Sequence, residues 1–152
     1  AYDAWGGEKE ALKGVKCSWC RWAPTFRWRV KMNTKDILEK LSKKGYEVDR
    51  LENIVAGKKD KSGRMKYVML KSGDKWFEIN AKDFRSAIGR LKSENFKIKK
   101  YPKFYLFSGY GWGHGVGMCQ WGAFGLSLRR YNDVRILRHY YPGSKIVDMR
   151  SL

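Results

Sequence analysis

The sequence predicts an α+β domain: a largely antiparallel sheet, one that could curl into a small barrel, packed against two to four helices. Three observations carry this expectation. Between Thr25 and Met32, Phe26, Trp28, Val30 and Met32 alternate with Arg27, Arg29 and Lys31, the period-two pattern of a half-buried strand. Three short apolar runs then follow between residues 51 and 79, separated by Lys61-Ser-Gly63 and Ser72-Gly-Asp74. Two amphipathic stretches, each opened by an asparagine, supply the helices.

In chain order, residues 1–24 read as an irregular arm that needs an anchor, with Gly6-Gly7, Cys17-Ser-Trp-Cys20 and Pro24 but little apolar periodicity. After the first strand, Asn33 can cap a helix: Asp36 lies three residues on, Ile37, Leu38 and Leu41 form its stripe, and Gly45 ends it. The runs Leu51–Ala56, Met65–Leu70 and Trp76–Ile79 fit an antiparallel meander. Asn80 then caps a second helix, with Asp83 in its first turn and Phe84, Ala87, Ile88 and Leu91 spaced to face a core. Strands follow over Phe96–Lys100 and Lys103–Phe107. Helices are expected over Met118–Arg130, where Met118, Trp121, Ala123, Phe124 and Leu128 recur at helical spacing, and over Val134–His139, closed by Tyr141-Pro-Gly143.

The length of 152 residues and 43% hydrophobic content suit one compact unit, 1–152. Lysine and arginine total 33 against 15 acidic residues, a net charge of +18 that calls for an anionic partner. Nucleic acid is one general inference from such a balance; cell-wall polymers and acidic lipid headgroups would attract the same surface. No apolar run reaches 18 residues, so no transmembrane segment is expected here.

The most unusual stretch begins at Ser108. Glycines stand at 109, 111, 113, 115 and 117, with Tyr110, Trp112, His114 and Val116 between them. An ordinary strand avoids this, because each glycine adds unfolded-state entropy and removes a packing side chain. Close approach of a ligand or of other backbone would justify it, with the rings between supplying contacts.

Gly109 to Ala123 reads G-Y-G-W-G-H-G-V-G-M-C-Q-W-G-A, and Ile136 to Gly143 reads I-L-R-H-Y-Y-P-G. Together these blocks resemble the signature of the stage II sporulation protein D family and its amidase-enhancer relatives. Ala4-Trp-Gly-Gly7 and Leu12-Lys-Gly-Val15 extend the likeness over essentially the whole chain. The resemblance implies work on peptidoglycan glycan strands, either by a lytic transglycosylase or by a non-catalytic module that binds the wall and assists other cell-wall hydrolases. It also implies an extracytoplasmic, wall-facing location and argues against a nucleic-acid role. The family's catalytic glutamate sits in an E-x-P-x-x-W segment that these residues do not contain, so the chain resembles the C-terminal part of the family's domain. The general acid is expected upstream.

Within that frame the expected substrate-binding residues are Tyr110, Trp112, Gly113, His114, Gly115 and Gln120, with Trp121 left to the core. An imidazole between two glycines can donate to a sugar hydroxyl or an N-acetyl oxygen. Cys17 and Cys20 form a C-x2-C pair, and Cys119 lies inside the signature. With His114 or His139 they would complete a tetrahedral zinc site that clamps the arm; a Cys17–Cys20 disulfide is the rival. Glu8, Glu47, Glu52, Glu78 and Glu94 lie in polar, basic surroundings and read as surface charges rather than acids.

Overall fold

The computed structural model describes residues 10–148 and 150, so Ala4–Gly7 and Glu8 lie outside the described residues. The chain divides into two compact units: Thr25–His114, and a smaller one formed by residues up to Pro24 together with those from Gly115 onward.

The larger unit carries two three-stranded antiparallel sheets and two helices. In the first sheet, β6 (Phe104–Tyr110) lies between β1 (Arg27–Asn33) and β5 (Phe96–Lys100). Register places Trp28, Gly109 and Phe96 in one row and Val30, Phe107 and Ile98 in the next, all on the core side. The alternation of β1 is therefore realised: Trp28 and Met32 are buried while Arg27, Arg29 and Lys31 are exposed. The second sheet runs β2 (Asn53–Ala56), β3 (Tyr67–Ser72), β4 (Lys75–Asn80), the expected meander. Gly73, at φ 59°, and Asp74 form the two-residue turn between β3 and β4, where a positive φ matches the twist of a tight hairpin. The sheets do not close into a barrel.

Helix α1 (Thr34–Ser42) buries Ile37 and Leu41, and α2 (Ala81–Ile88) buries Ala81, Phe84, Ala87 and Ile88. Asn80 caps α2 as its chemistry suggests, its side chain accepting from the Lys82 amide at 2.9 Å. Asn33 occupies the same position before α1 but makes no side-chain cap; the Thr34 amide instead donates to the Lys103 carbonyl at 3.1 Å. Phe84, Phe96, Tyr105 and Phe107 are fully buried and dominate the core they share with both helices and both sheets. Burial of each such ring contributes about 2–3 kcal/mol.

In the smaller unit, a single 3₁₀ turn (Glu10–Leu12) precedes the arm, and α3 (Gln120–Ser127) and α4 (Asp133–Tyr140) follow the glycine segment. Asn132 caps α4 by accepting from the Arg135 amide. The expected apolar stripe of α3 is reversed. Met118, Trp121, Phe124 and Leu128 are exposed, whereas Gly122, Gly125 and Leu126 are buried. The reason is close packing: a Cβ on Gly125 would lie 2.9 Å from Trp19 Cβ and 3.0 Å from the Trp19 carbonyl oxygen. While Trp22, further along the arm, meets the exposed Trp121 and Phe124, Trp19 of the arm is seated on the glycine face of the helix. Val15, Cys17 and Trp19 pack there against Leu126, Ile136 and Tyr140, which gives the arm the anchor its own sequence lacks.

Two glycines of the signature should respond differently to alanine. At Gly109 a Cβ would meet the Trp28 ring at 2.2 Å and the Asn95 carbonyl at 2.7 Å; at Gly111 it meets nothing within 4 Å, but φ is +73°. Gly109→Ala is expected to cost about 2–3 kcal/mol through overpacking, and Gly111→Ala about 1 kcal/mol through backbone strain alone. Chemical denaturation of the two variants checks the order, and equal losses would contradict the packing account.

Candidate functional site

Strand β6 sits in the middle of its sheet and runs directly into the glycine segment, so the rigidity of the sheet is passed to the residues after it. Five hydrogen bonds fix the backbone from Tyr110 to Gly113. The Tyr110 amide donates to the Asn95 carbonyl at 2.9 Å, and the Tyr110 carbonyl accepts from Ser93 Oγ at 2.6 Å. The Gly111 amide donates to the Phe26 carbonyl at 2.8 Å, the Gly111 carbonyl accepts from Trp28 Nε1 at 3.0 Å, and the Gly113 amide donates to the Lys92 carbonyl at 2.8 Å. With its polar groups committed inward, the segment turns its side chains outward. Gly111 and Gly113 have φ of +73° and +83° and open space where a Cβ would stand, so they answer both to backbone conformation and to access.

Tyr110 is 44% exposed and Trp112 62%. The Lys92 ammonium stands 4.3 Å from the centre of the Trp112 ring, within cation–π range. Trp112 and Lys92 also line a shallow depression of about 290 Å³ with Arg85, Ser86, Gly89 and Leu91. Tyr110, Trp112, Gly113 and the exposed His114 belong to the larger unit, Gly115 and the exposed Gln120 to the smaller. Gly115 and Gly117, at φ 72° and 82°, continue the left-handed glycine pattern.

A second centre lies within the smaller unit. The sulfurs of Cys17, Cys20 and Cys119 all lie within 4.8 Å of one another, and all three thiols are free. Cys119 is the N-cap of α3, its sulfur accepting from the Gly122 amide at 3.4 Å, where the helix N-terminus favours negative charge. Tyr140 Oη lies 3.2 Å from Cys17 Sγ. Gly122 makes this possible, since a Cβ there would stand 2.0 Å from Tyr140 Oη and 2.5 Å from Cys17 Sγ. Burial first, and then the neighbouring Cys119 and Cys17, push the Cys20 thiol up to about 12; burial followed by the Cys17 hydrogen bond raises Tyr140. Three thiols this close cannot all ionise unless a cation joins them. Among the described residues the group comprises the three cysteines: His139, on α4, is edge-on to Tyr140 with its Nε2 buried and unpartnered there, and His114 lies in the larger unit.

Trp121, left to the core because a chain this rich in aromatics must bury most of them, is instead part of an exposed aromatic group. Its ring lies 5.2 Å from that of Trp22, edge to face, and 6.1 Å from that of Phe124. Of the carboxylates, Glu94 departs from the surface expectation. It is buried and holds Arg85 Nη1 at 2.6 Å, with Arg64 Nε at 4.0 Å, so its carboxylate faces two guanidinium groups rather than solvent. Sequence reasoning did not single out Ser93, which is wholly buried and ties the Tyr110 carbonyl. Its position in the short Ser93-Glu94-Asn95 stretch before β5 was the available signal, since serine and asparagine there can bond backbone. Gly122 was likewise visible only as one more glycine.

A family described as a domain of unknown function, DUF8618, matches residues 15–117. An uncharacterized protein of Brachyspira hyodysenteriae is 31% identical over 150 residues, covering 97% of this chain and 39% of that protein. Stage II sporulation protein D of Bacillus amyloliquefaciens is 26% identical over 147 residues, covering 97% of this chain and 41% of that protein. The amidase enhancer of Bacillus subtilis is 35% identical over 72 residues, 46% of this chain and 10% of that protein. The chain thus spans about two fifths of the length of the first two relatives. It belongs to the DUF8618 family and, through these relatives, to the stage II sporulation protein D and amidase-enhancer group.

Proposed function

We propose that this chain has a cell-wall role and binds peptidoglycan glycan strands, supplying the glycan groove of a lytic transglycosylase whose general acid lies outside these residues. One observation carries the reading: Tyr110 and Trp112 are held outward on a backbone fixed by five hydrogen bonds, beside glycines that leave the main chain open. Sugar rings present C–H faces that pack on such aromatics, and a platform fixed in advance loses little entropy on binding. His114, which follows Gly113 in the same unit, is the hydrogen-bonding side chain assigned to the sugar's polar edge. The acid is placed elsewhere because Glu94, the buried carboxylate among the described residues, is taken up by its ion pair with Arg85. In this reaction class a glutamic acid protonates the glycosidic oxygen and the muramoyl 6-hydroxyl closes an anhydro ring. This chain's share is to hold the strand.

A second reading, a wall-binding module that enhances an amidase without cutting glycan, is favoured by the likeness to an amidase enhancer and by the same paired state of Glu94. Both readings need glycan binding. They part on what the full-length protein releases: anhydro-muropeptides support the first, and their absence with stimulated amidase activity supports the second.

Binding of the chain to purified, peptide-stripped glycan is the direct test. Trp112→Ala is expected to weaken it roughly two- to tenfold, and the chain alone should release no anhydro-muropeptides. Equal affinity of variant and parent would overturn the placement of the groove. Release of anhydro products would overturn the placement of the acid.

The thiol cluster is proposed to hold one structural zinc through Cys17, Cys20 and Cys119, leaving one tetrahedral position for a water or an incoming imidazole. Bound zinc would keep the three thiolates charged and join the arm to α3; Tyr140 would donate to Cys17. Ordering an arm costs roughly 1–2 kcal/mol per residue in backbone entropy, and a zinc site supplies on the order of 10 kcal/mol. Metal analysis should find one zinc per chain. Gly122→Ala, which removes no thiol, should lower zinc occupancy and speed proteolysis in the arm, as should Cys119→Ser. Metal-free protein carrying a Cys17–Cys20 disulfide would refute the site.

A further inference from the structure

The solvent face of the first sheet is a second, separate surface. On β1, Arg27, Arg29 and Lys31 point to solvent; on β5, Lys97 and Lys99 do the same. The register aligns them across the central strand: Arg29 and Lys97 both face Ser108, Lys31 and Lys99 both face Leu106, and Arg27 faces Tyr110. No acidic residue occurs in these three strands, and none of the five cations has a carboxylate partner among the described residues. The face is therefore a two-column array. Charges follow one another at about 6–7 Å along a strand and stand about 10 Å apart across the row, from the sheet's own dimensions. An unneutralised array of this kind repels itself in the free protein, and a polyanion relieves that.

We propose that this face binds a linear phosphodiester polymer of the bacterial wall, of the polyglycerol phosphate type. The proposal rests on the cell-wall reading above. Phosphates repeating along a short three-carbon unit suit cations repeating every second residue of a strand. Arginine offers each phosphate a two-pronged contact, while lysine supplies point charge. The hydroxyl of Ser108, on the central strand, adds a donor between the columns. Single-stranded nucleic acid fits less well, because the ring that lies between the lower ends of the columns is already engaged. Phe104 is stacked on Tyr101 at 4.5 Å with Lys31 4.2 Å from its centre. Nucleic-acid grooves of that kind depend on free aromatic platforms.

The test titrates soluble polyglycerol phosphate into the chain and into a triple variant, Arg29→Gln, Lys97→Gln and Lys99→Gln, over a range of salt. All three side chains are exposed, so an unchanged melting curve is expected and checks the fold. The variant should bind at least tenfold more weakly, and its log-affinity against log-salt slope should fall by roughly 2. Binding of both proteins to wall stripped of phosphate polymer should be equal, which separates this face from the glycan groove. If neither protein binds stripped wall, the groove reading fails while this one stands. Equal affinity of variant and parent for the polymer, or tighter binding of the parent to single-stranded DNA with the same number of phosphates, would overturn the proposal.

Discussion

The set of five hydrogen bonds that holds the backbone between Tyr110 and Gly113 is the constraint on which the larger unit's functional surface depends. Five partners, contributed by Phe26, Trp28, Lys92, Ser93 and Asn95, come from two separate stretches of chain. Those stretches lead into β1 and β5, the two neighbours of β6. Pairing of the sheet and fixing of the segment are thus one event: the register that buries Trp28 beside Gly109 also aims its indole N–H at the Gly111 carbonyl. A buried amide or carbonyl left without a partner costs about 1–3 kcal/mol, so the segment has little freedom to reorganise once the sheet has formed. Rings held this way are suited to recognise a rigid, repeating ligand.

The glycines divide by cause. Gly109, Gly122 and Gly125 are small because another group occupies the space of their Cβ: an indole, a phenol with a thiol, and the arm's own backbone, respectively. Gly111, Gly113, Gly115 and Gly117 serve a left-handed backbone. One signature therefore performs two tasks. Its first half shapes an exposed loop at the end of a sheet, and its second half opens a helix face against which Cys17 and Tyr140 can approach Cys119.

Much of the larger unit was legible in the sequence because period and punctuation agreed. The alternation from Phe26 to Met32, the Gly73-Asp74 turn and the Asn80 cap each depend on a few neighbouring residues, and local chemistry decided them. The likeness of the glycine block to a known family was also legible, as was the convergence of Cys17 and Cys20 with Cys119. Features decided by distant partners were not. Asn33 stands at the N-cap of α1 without a side-chain cap bond, and the first helical amide, Thr34, is satisfied by the distant Lys103 carbonyl. Trp121, Phe124 and Leu128 look like a core stripe, yet they stay exposed, with Trp22 against Trp121 and Phe124, because Trp19 of the arm seats on the glycine face of α3, where backbone can approach closely. Glu94 appeared to be one more surface charge because nothing local announces Arg85 and Arg64 beside it.

The central claim is that the ordered Tyr110–Gly113 segment is where a glycan strand is held. Amide and indole chemical shifts of the isotopically labelled chain, followed while a peptide-free muramic-acid-containing oligosaccharide is added, test it most directly. The account predicts saturable shifts at the Trp112 indole and at the amides of residues 110–114, with the buried amides of Tyr105 and Phe107 unmoved. Saturable shifts confined to other surfaces, with the Trp112 indole stationary, would contradict it.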